Sequence, residues 1–125
     1  MSAPQISHIG TVVVPVADQD EALAFYTGTV GFEVRIDAEF APGQRWIEVA
    51  PPGAETSLAL VSREGAPAGI EISLATSSAD GDHAVLRSRG VEADADVIRM
   101  GEGVPPMFTF RDPDGNRFRV VEREG

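Results

Sequence analysis

The chain reads as one α+β domain built from two βαβββ modules, about 6–64 and 69–123, whose curved mixed sheets surround a cavity. Three observations predict this fold. A pattern of extended run, capped helix, glycine and further extended runs occurs twice, about 60 positions apart. The extended runs alternate apolar and polar residues, whereas the segments between them carry apolar residues at helical spacing. Each half alone is too small to close a core, so a repeat of this size implies one supersecondary unit used twice. Two pseudo-symmetric halves share a concave surface, and residues at equivalent positions on it can be read in pairs.

Taken in order, residues 8–16 form a strand of β-branched residues that ends near Pro15. Asp18-Gln-Asp-Glu21 starts a helix, with an acidic cap and a glutamate three positions later. Leu23, Tyr26 and Val30 recur at helical spacing, and Ala22 and Phe25 widen the stripe. Gly31 stops the helix, and Phe32–Phe40 runs extended. Gln44–Ala50 alternates, with Trp46 and Glu48 on one face and Ile47 and Val49 on the other. Pro51–Glu55 turns the chain, and Thr56–Ser62 returns with Leu58 and Leu60 on one face. The Gly65-Ala-Pro-Ala-Gly69 piece joins the halves. The second half repeats the plan: strand 70–76, helix 79–89 behind a Ser78 cap, then strands 91–98, 106–111 and 116–122. Gly81 weakens the first turn of that helix, and Gly90 terminates it. Asp112-Pro-Asp-Gly115 sets proline at the second turn position and glycine where a positive φ is wanted, a strong hairpin signal. The helices then cover the outer faces of the sheets and leave the inner faces as the cavity wall.

Composition narrows the function. The 125 residues are 42% hydrophobic, enough for a real core, and include no cysteine. Disulfides, thiolate metal sites and cysteine nucleophiles are thereby excluded. No run of about 18 apolar residues and no basic-plus-apolar leader occurs, so no membrane partner and a cytoplasmic location are expected. The formal net charge is −10, and all ten basic residues are arginine. Such a balance disfavours nucleic acid, which needs a basic face, and serves solubility.

The motifs resemble a known family. Asp18-Gln-Asp, Phe25-Tyr26, Gly31-Phe32, Arg45-Trp46, Pro51-Pro-Gly53, Leu86, Gly90-Val91 and Phe110-Arg-Asp112-Pro-Asp-Gly-Asn116 look like the vicinal oxygen chelate superfamily. That group contains glyoxalase I, the bleomycin-resistance proteins and the extradiol dioxygenases. The resemblance covers nearly the whole chain. It implies paired βαβββ modules, a small-molecule cavity, often a homodimer, and in many members a divalent metal that binds two substrate oxygens.

The resemblance also implies where such a metal would sit: on the first and last strand of each module. Counted from Asp18, from Leu86–Gly90 and from Asp112–Gly115, those seats fall on Thr11, Ala59, Glu71 and Arg119. Only Glu71 is a usual ligand, whereas arginine offers donors and a fixed positive charge. Catalytic metals generally need about three protein ligands, so no metal or other cofactor is expected. His8 lies three positions before Thr11, and strand alternation turns it away from the cavity. His83 falls on the second helix, outside the cavity. Asp112, Asp114 and Asn116 imitate a calcium loop, but Arg117 and Arg123 replace its glycine and closing glutamate.

Glu71 and Arg119 are left as either a structural ion pair or a polar anchor, Arg119 for an oxyanion and Glu71 for a cation. Glu71 is also the one candidate general base. Trp46 is either core or a stacking wall, and Glu48 beside it favours a solvated pocket. Tyr26 belongs to the helix stripe and hence to the core. Alternation leaves open which face of 106–111 looks inward, and pseudo-symmetry with Glu48 nominates Phe108. The expected function is a metal-free small-molecule binder. The alternative is an enzyme — a lyase, isomerase or dioxygenase — with a relocated metal or a metal-free mechanism using Glu71.

Overall fold

A computed structural model describes residues 4–63 and 70–123, so the expected Gly65–Gly69 joint lies outside the described residues. The elements follow the expected order: β1 (Thr11–Val16), α1 (Gln19–Ala24), β2 (Glu33–Ala41), β3 (Gln44–Ala50), β4 (Ser57–Ser62), β5 (Glu71–Thr76), α2 (Ala79–Ser88), β6 (Glu92–Ala93), β7 (Met107–Arg111) and β8 (Arg117–Glu122). They form two four-stranded mixed sheets, ordered β1-β4-β3-β2 and β5-β8-β7-β6. In each sheet the first and last strands of a module run parallel and the other neighbours antiparallel. The registers repeat as well: Thr11 faces Ser57 in one ladder and Glu71 faces Arg117 in the other.

Both helices begin as their caps dictate. Asp18 Oδ1 accepts the Glu21 N–H at 2.9 Å, and Ser78 Oγ accepts the Gly81 N–H at 3.0 Å. Each bond satisfies an amide that the first helical turn leaves without a partner. Three elements depart from expectation. β1 begins at Thr11, so His8 precedes the strand, exposed and bonded to Ser7 Oγ. The first helix ends in a π-helical turn, Phe25–Thr29, where Val30 N–H reaches back five residues to Phe25 O. That turn adds one residue relative to the second helix. The expected strand 91–98 shrinks to Glu92–Ala93, with an isolated bridge from Ile98 to Met107. Asp94 explains the break: its carboxylate takes the Thr109 N–H at 2.9 Å, replacing a ladder partner with a side chain.

A single apolar cluster draws on both modules, including Val14, Leu60, Ile47, Phe108, Phe110 and Phe118. Tyr26 is fully buried within it and donates its hydroxyl to Asp112 Oδ2 at 2.6 Å, across the module boundary. Asn116 Nδ2 donates to that same oxygen and to Pro15 O, each at 2.9 Å. Asp112 Oδ1 meanwhile accepts the N–H groups of Asp114 and Asn116, which closes the hairpin turn. One carboxylate therefore shapes its own turn and pins that turn to the other module. Desolvation, and then the hydrogen bond to Asp112, raise the Tyr26 pKa far above its ordinary value. Among the described residues no helix is long and apolar enough to cross a membrane.

Candidate ligand site on the concave faces

Strand alternation fixes which side chains share the face turned away from the helices. In the first sheet Glu48 pairs with Ala59, Ala59 with Val13, and Thr11 with Ser57. Ile36 and Ala38 pair with Glu48 and Trp46, which extends the face onto β2. Thr11, Trp46, Glu48 and Ala59 thus come together as the sequence suggested, and Ile47 and Val49 turn into the core.

Glu48 is the centre of this face. Its carboxylate accepts the Ser57 hydroxyl and, at 2.7 Å, the Trp46 indole N–H. Thr11 Oγ1 stands 3.4 Å from Ser57 Oγ and extends the network. These donors, Ser57 first and Trp46 second, hold the Glu48 pKa below its ordinary 4.5. The indole ring is fixed by its N–H, so its plane is a preset wall. Sequence reasoning missed Ser57, although it lies two residues before Ala59 and so shares its face.

In the second sheet Glu71, Arg117, Arg119, Thr109 and Arg111 share the equivalent face. Arg119 lies 2.8 Å and Arg117 3.6 Å from the two oxygens of Glu71. Arg111 lies 3.9 Å from Glu92. Arg111 and Arg117 are direct cross-strand partners, an arrangement that like charges disfavour. Sequence reasoning missed both, although they flank the Asp112–Asn116 segment on either side. The charged side chains of this face are one-third to about three-quarters exposed, so the face is open.

Phe108 requires correction. It is fully buried on the opposite face, with its ring 5.1 Å from that of His83 on α2. The ladders show why: Glu48 pairs with Ala59, but it is Thr109 that pairs with Arg119. The repeat is one residue longer at this strand, and a slip of one residue moves a side chain to the other face. Thr109 holds the inward place. His83 lies outside the concave face as expected, with Nε2 2.7 Å from Asp94 O.

The four seats where the superfamily's enzymes carry ligands do not fit a divalent ion. Ala59 has no donor atom, and Arg119 sets a guanidinium against the one carboxylate, Glu71. Among the described residues no group of three or more His, Asp or Glu could hold a metal. Separately, a cavity of about 260 Å³ opens on the helix side of the molecule, lined in part by Phe32, Leu74, Val85, Leu86 and Phe110. It shares none of the site residues named above, and only Ala75, four positions along β5 from Glu71 and on its face, reaches its margin.

Comparison with known proteins agrees with this architecture. The family model described as Glyoxalase/Bleomycin resistance protein/Dioxygenase superfamily matches residues 5–120. The chain belongs to this superfamily. Within it, the chain is 35% identical over 121 residues to the uncharacterized protein YetH of Bacillus subtilis (strain 168), covering 94% of this chain and 99% of that one. The crystal structure of TnmS3, an antibiotic binding protein from Streptomyces sp. CB03234, superimposes with a TM-score of 0.85 at 36% identity, covering 98% of this chain and all of that one (100%). A superfamily member from Sphaerobacter thermophilus DSM 20745 gives 0.86 at 36% identity, over 96% of this chain and 100% of that one. The paired βαβββ plan is thus shared by glyoxalase-type superfamily members.

Proposed function

We propose that the protein is a cytoplasmic homodimer that binds and sequesters a small organic molecule on its concave faces, without a metal and without chemistry. The observation that carries this is the Glu71–Arg119 pair at 2.8 Å, which puts a cation in a seat where metallo-enzymes of the superfamily have a ligand. The likeness to an antibiotic binding protein supports the same reading. The two faces suit different parts of one ligand. Trp46 and the Ile36/Ala38 strip offer a flat apolar wall around the fixed carboxylate of Glu48. Three arginines against two glutamates offer unspent donors to a carboxylate, phenolate or other oxyanion. Both faces are open in one chain, and a second copy laid against them would complete the walls.

The test is a thermal-shift and calorimetric screen of aromatic antibiotics bearing an acidic group, with elemental analysis of protein isolated without chelator. A saturable ligand that is recovered unchanged, with no stoichiometric divalent ion, is the expected result. A bound divalent ion at one per chain, or turnover of the ligand, would sink the proposal. An enzymatic role for Glu71 has less support, because both its oxygens already face arginines and no histidine shares its sheet.

A further inference from the structure

The cavity on the helix side sits where the two halves of the repeat differ most in bulk. Tyr26 and Leu86 hold equivalent places: each follows its cap by the same interval, and each offers its carbonyl to the first residue beyond the glycine stop. Phe32 N–H reaches Tyr26 O at 2.8 Å, and Val91 N–H reaches Leu86 O at 3.0 Å. Phe25 and Val85 correspond in the same way. In the first half this slot is filled by two aromatic rings 5.2 Å apart, and the Tyr26 hydroxyl reaches across to Asp112 in the other module's turn. In the second half Val85 and Leu86 are too small to fill it. The opposing turn presents Pro52 at the place of Asp112, with Pro51 in the cavity wall. The room left over is the cavity of about 260 Å³.

We propose that this cavity is a second ligand site, distinct from the concave faces, and that it takes an uncharged phenol, a single ring with one hydroxyl. Its occupant restores from solution what Tyr26 supplies covalently in the other half. The volume suits one ring: drug-sized pockets start at roughly 300 Å³, whereas an apolar cavity of about 150 Å³ already takes benzene. The wall is apolar where a ring would lie, with Leu74, Leu86, Phe110 and Val120. Its polar groups are Thr29, Thr76, Asp82 and Arg89. Asp82 lines the cavity half-buried, and its carboxylate makes no hydrogen bond to any described residue. It can accept the hydroxyl as Asp112 accepts that of Tyr26. Arg89, in the same wall, gives one N–H to Thr29 O at 2.8 Å and keeps its charge and its other donors. A neutral phenol can use both groups, giving its proton to Asp82 and accepting from Arg89, whereas a benzoate drawn to Arg89 is repelled by Asp82.

The test is titration of the isotope-labelled protein with phenol and, separately, with benzoate, followed by backbone amide shifts. Phenol is expected to saturate, moving amides of Val85–Arg89 and Thr29–Phe32, with benzoate at least tenfold weaker. Leu86→Tyr fills the slot covalently, so phenol affinity should fall at least tenfold while the melting temperature rises. Val85→Phe, at a position 45% exposed, gives the same readout should the first variant not fold. Arg119→Ala should leave phenol binding unchanged. Non-saturating shifts, equal affinity in a folded slot-filling variant, or loss of binding in Arg119→Ala would each overturn the proposal. The last outcome would assign phenol to the concave faces instead.

Discussion

Tyr26 is the only tyrosine, so its ionisation can be followed without interference. Burial and Asp112 stabilise the protonated phenol in the folded state, raising the folded pKa above the ordinary 10.0. The sign follows: this stability is fully present below pH 10 and is lost as pH rises above it, because only the unfolded chain ionises there. Phenolate absorbance should therefore rise only with unfolding, and Tyr26→Phe should remove that alkaline dependence while costing about 1.5–3 kcal/mol at neutral pH, read by denaturant titration. Glu48 behaves in the opposite sense. Its lowered pKa stabilises the fold above pH 4.5, and that contribution fades as pH falls through the folded value. Ser57→Ala should weaken the acid sensitivity of the unfolding midpoint. Arg119 separates structure from binding: its pair with Glu71 is half-exposed and worth about 0–1 kcal/mol. Arg119→Ala should thus leave stability nearly unchanged while weakening an anionic ligand by about 1.5–3 kcal/mol. Unchanged ligand affinity would reduce Arg119 to a structural partner.

At the scale of elements, the repeat was legible because caps, glycines and alternation are local signals. Asp18, Ser78, Gly31 and Gly90 mark the helix ends where the structure has them. Gly115 has φ +84°, so Gly115→Ala should cost about 1–2 kcal/mol in thermal or chemical unfolding. What escaped the sequence were register and side-chain competition. Alternation leaves the inward face of 106–111 open, and pseudo-symmetry nominates Phe108 wrongly because a one-residue difference between modules leaves no mark in a period-two pattern. The early end of β6 depends on Asp94 finding an amide 15 residues away, which no local propensity encodes. The π-helical turn was hidden because Leu23, Tyr26 and Val30 fit an ordinary helix equally well. The concave site was half legible. Thr11, Trp46, Glu48, Ala59, Glu71 and Arg119 fall on the expected faces, whereas the hydrogen-bonded grip of Ser57 on Glu48 required the pairing of β3 with β4.

In the molecule as a whole, the two halves share one apolar cluster and are tied by hydrogen bonds at the Asp112–Asn116 turn, Asp112 with Tyr26, Asp114 with the Ala17 N–H and Asn116 with Pro15 O. Its margins are more exposed. β2 has nine residues, nearly all solvent-accessible, and among the described residues pairs only with β3. Its ladder slips between Val34 and Ile36 and again between Glu39 and Ala41. Arg35, at the first slip, ties the strand to Pro51 O and Ala54 O. Such irregularities bend a ribbon, and the charges of Glu33, Arg35, Asp37 and Glu39 repel a stacking neighbour. Deleting Arg35 should straighten this margin and leave Val34, Ile36 and Phe40 on a flat rail. The native chain should stay dispersed on warming and the deleted one should seed fibrils that bind thioflavin, in which case a kink of one residue keeps this border from recruiting its own kind.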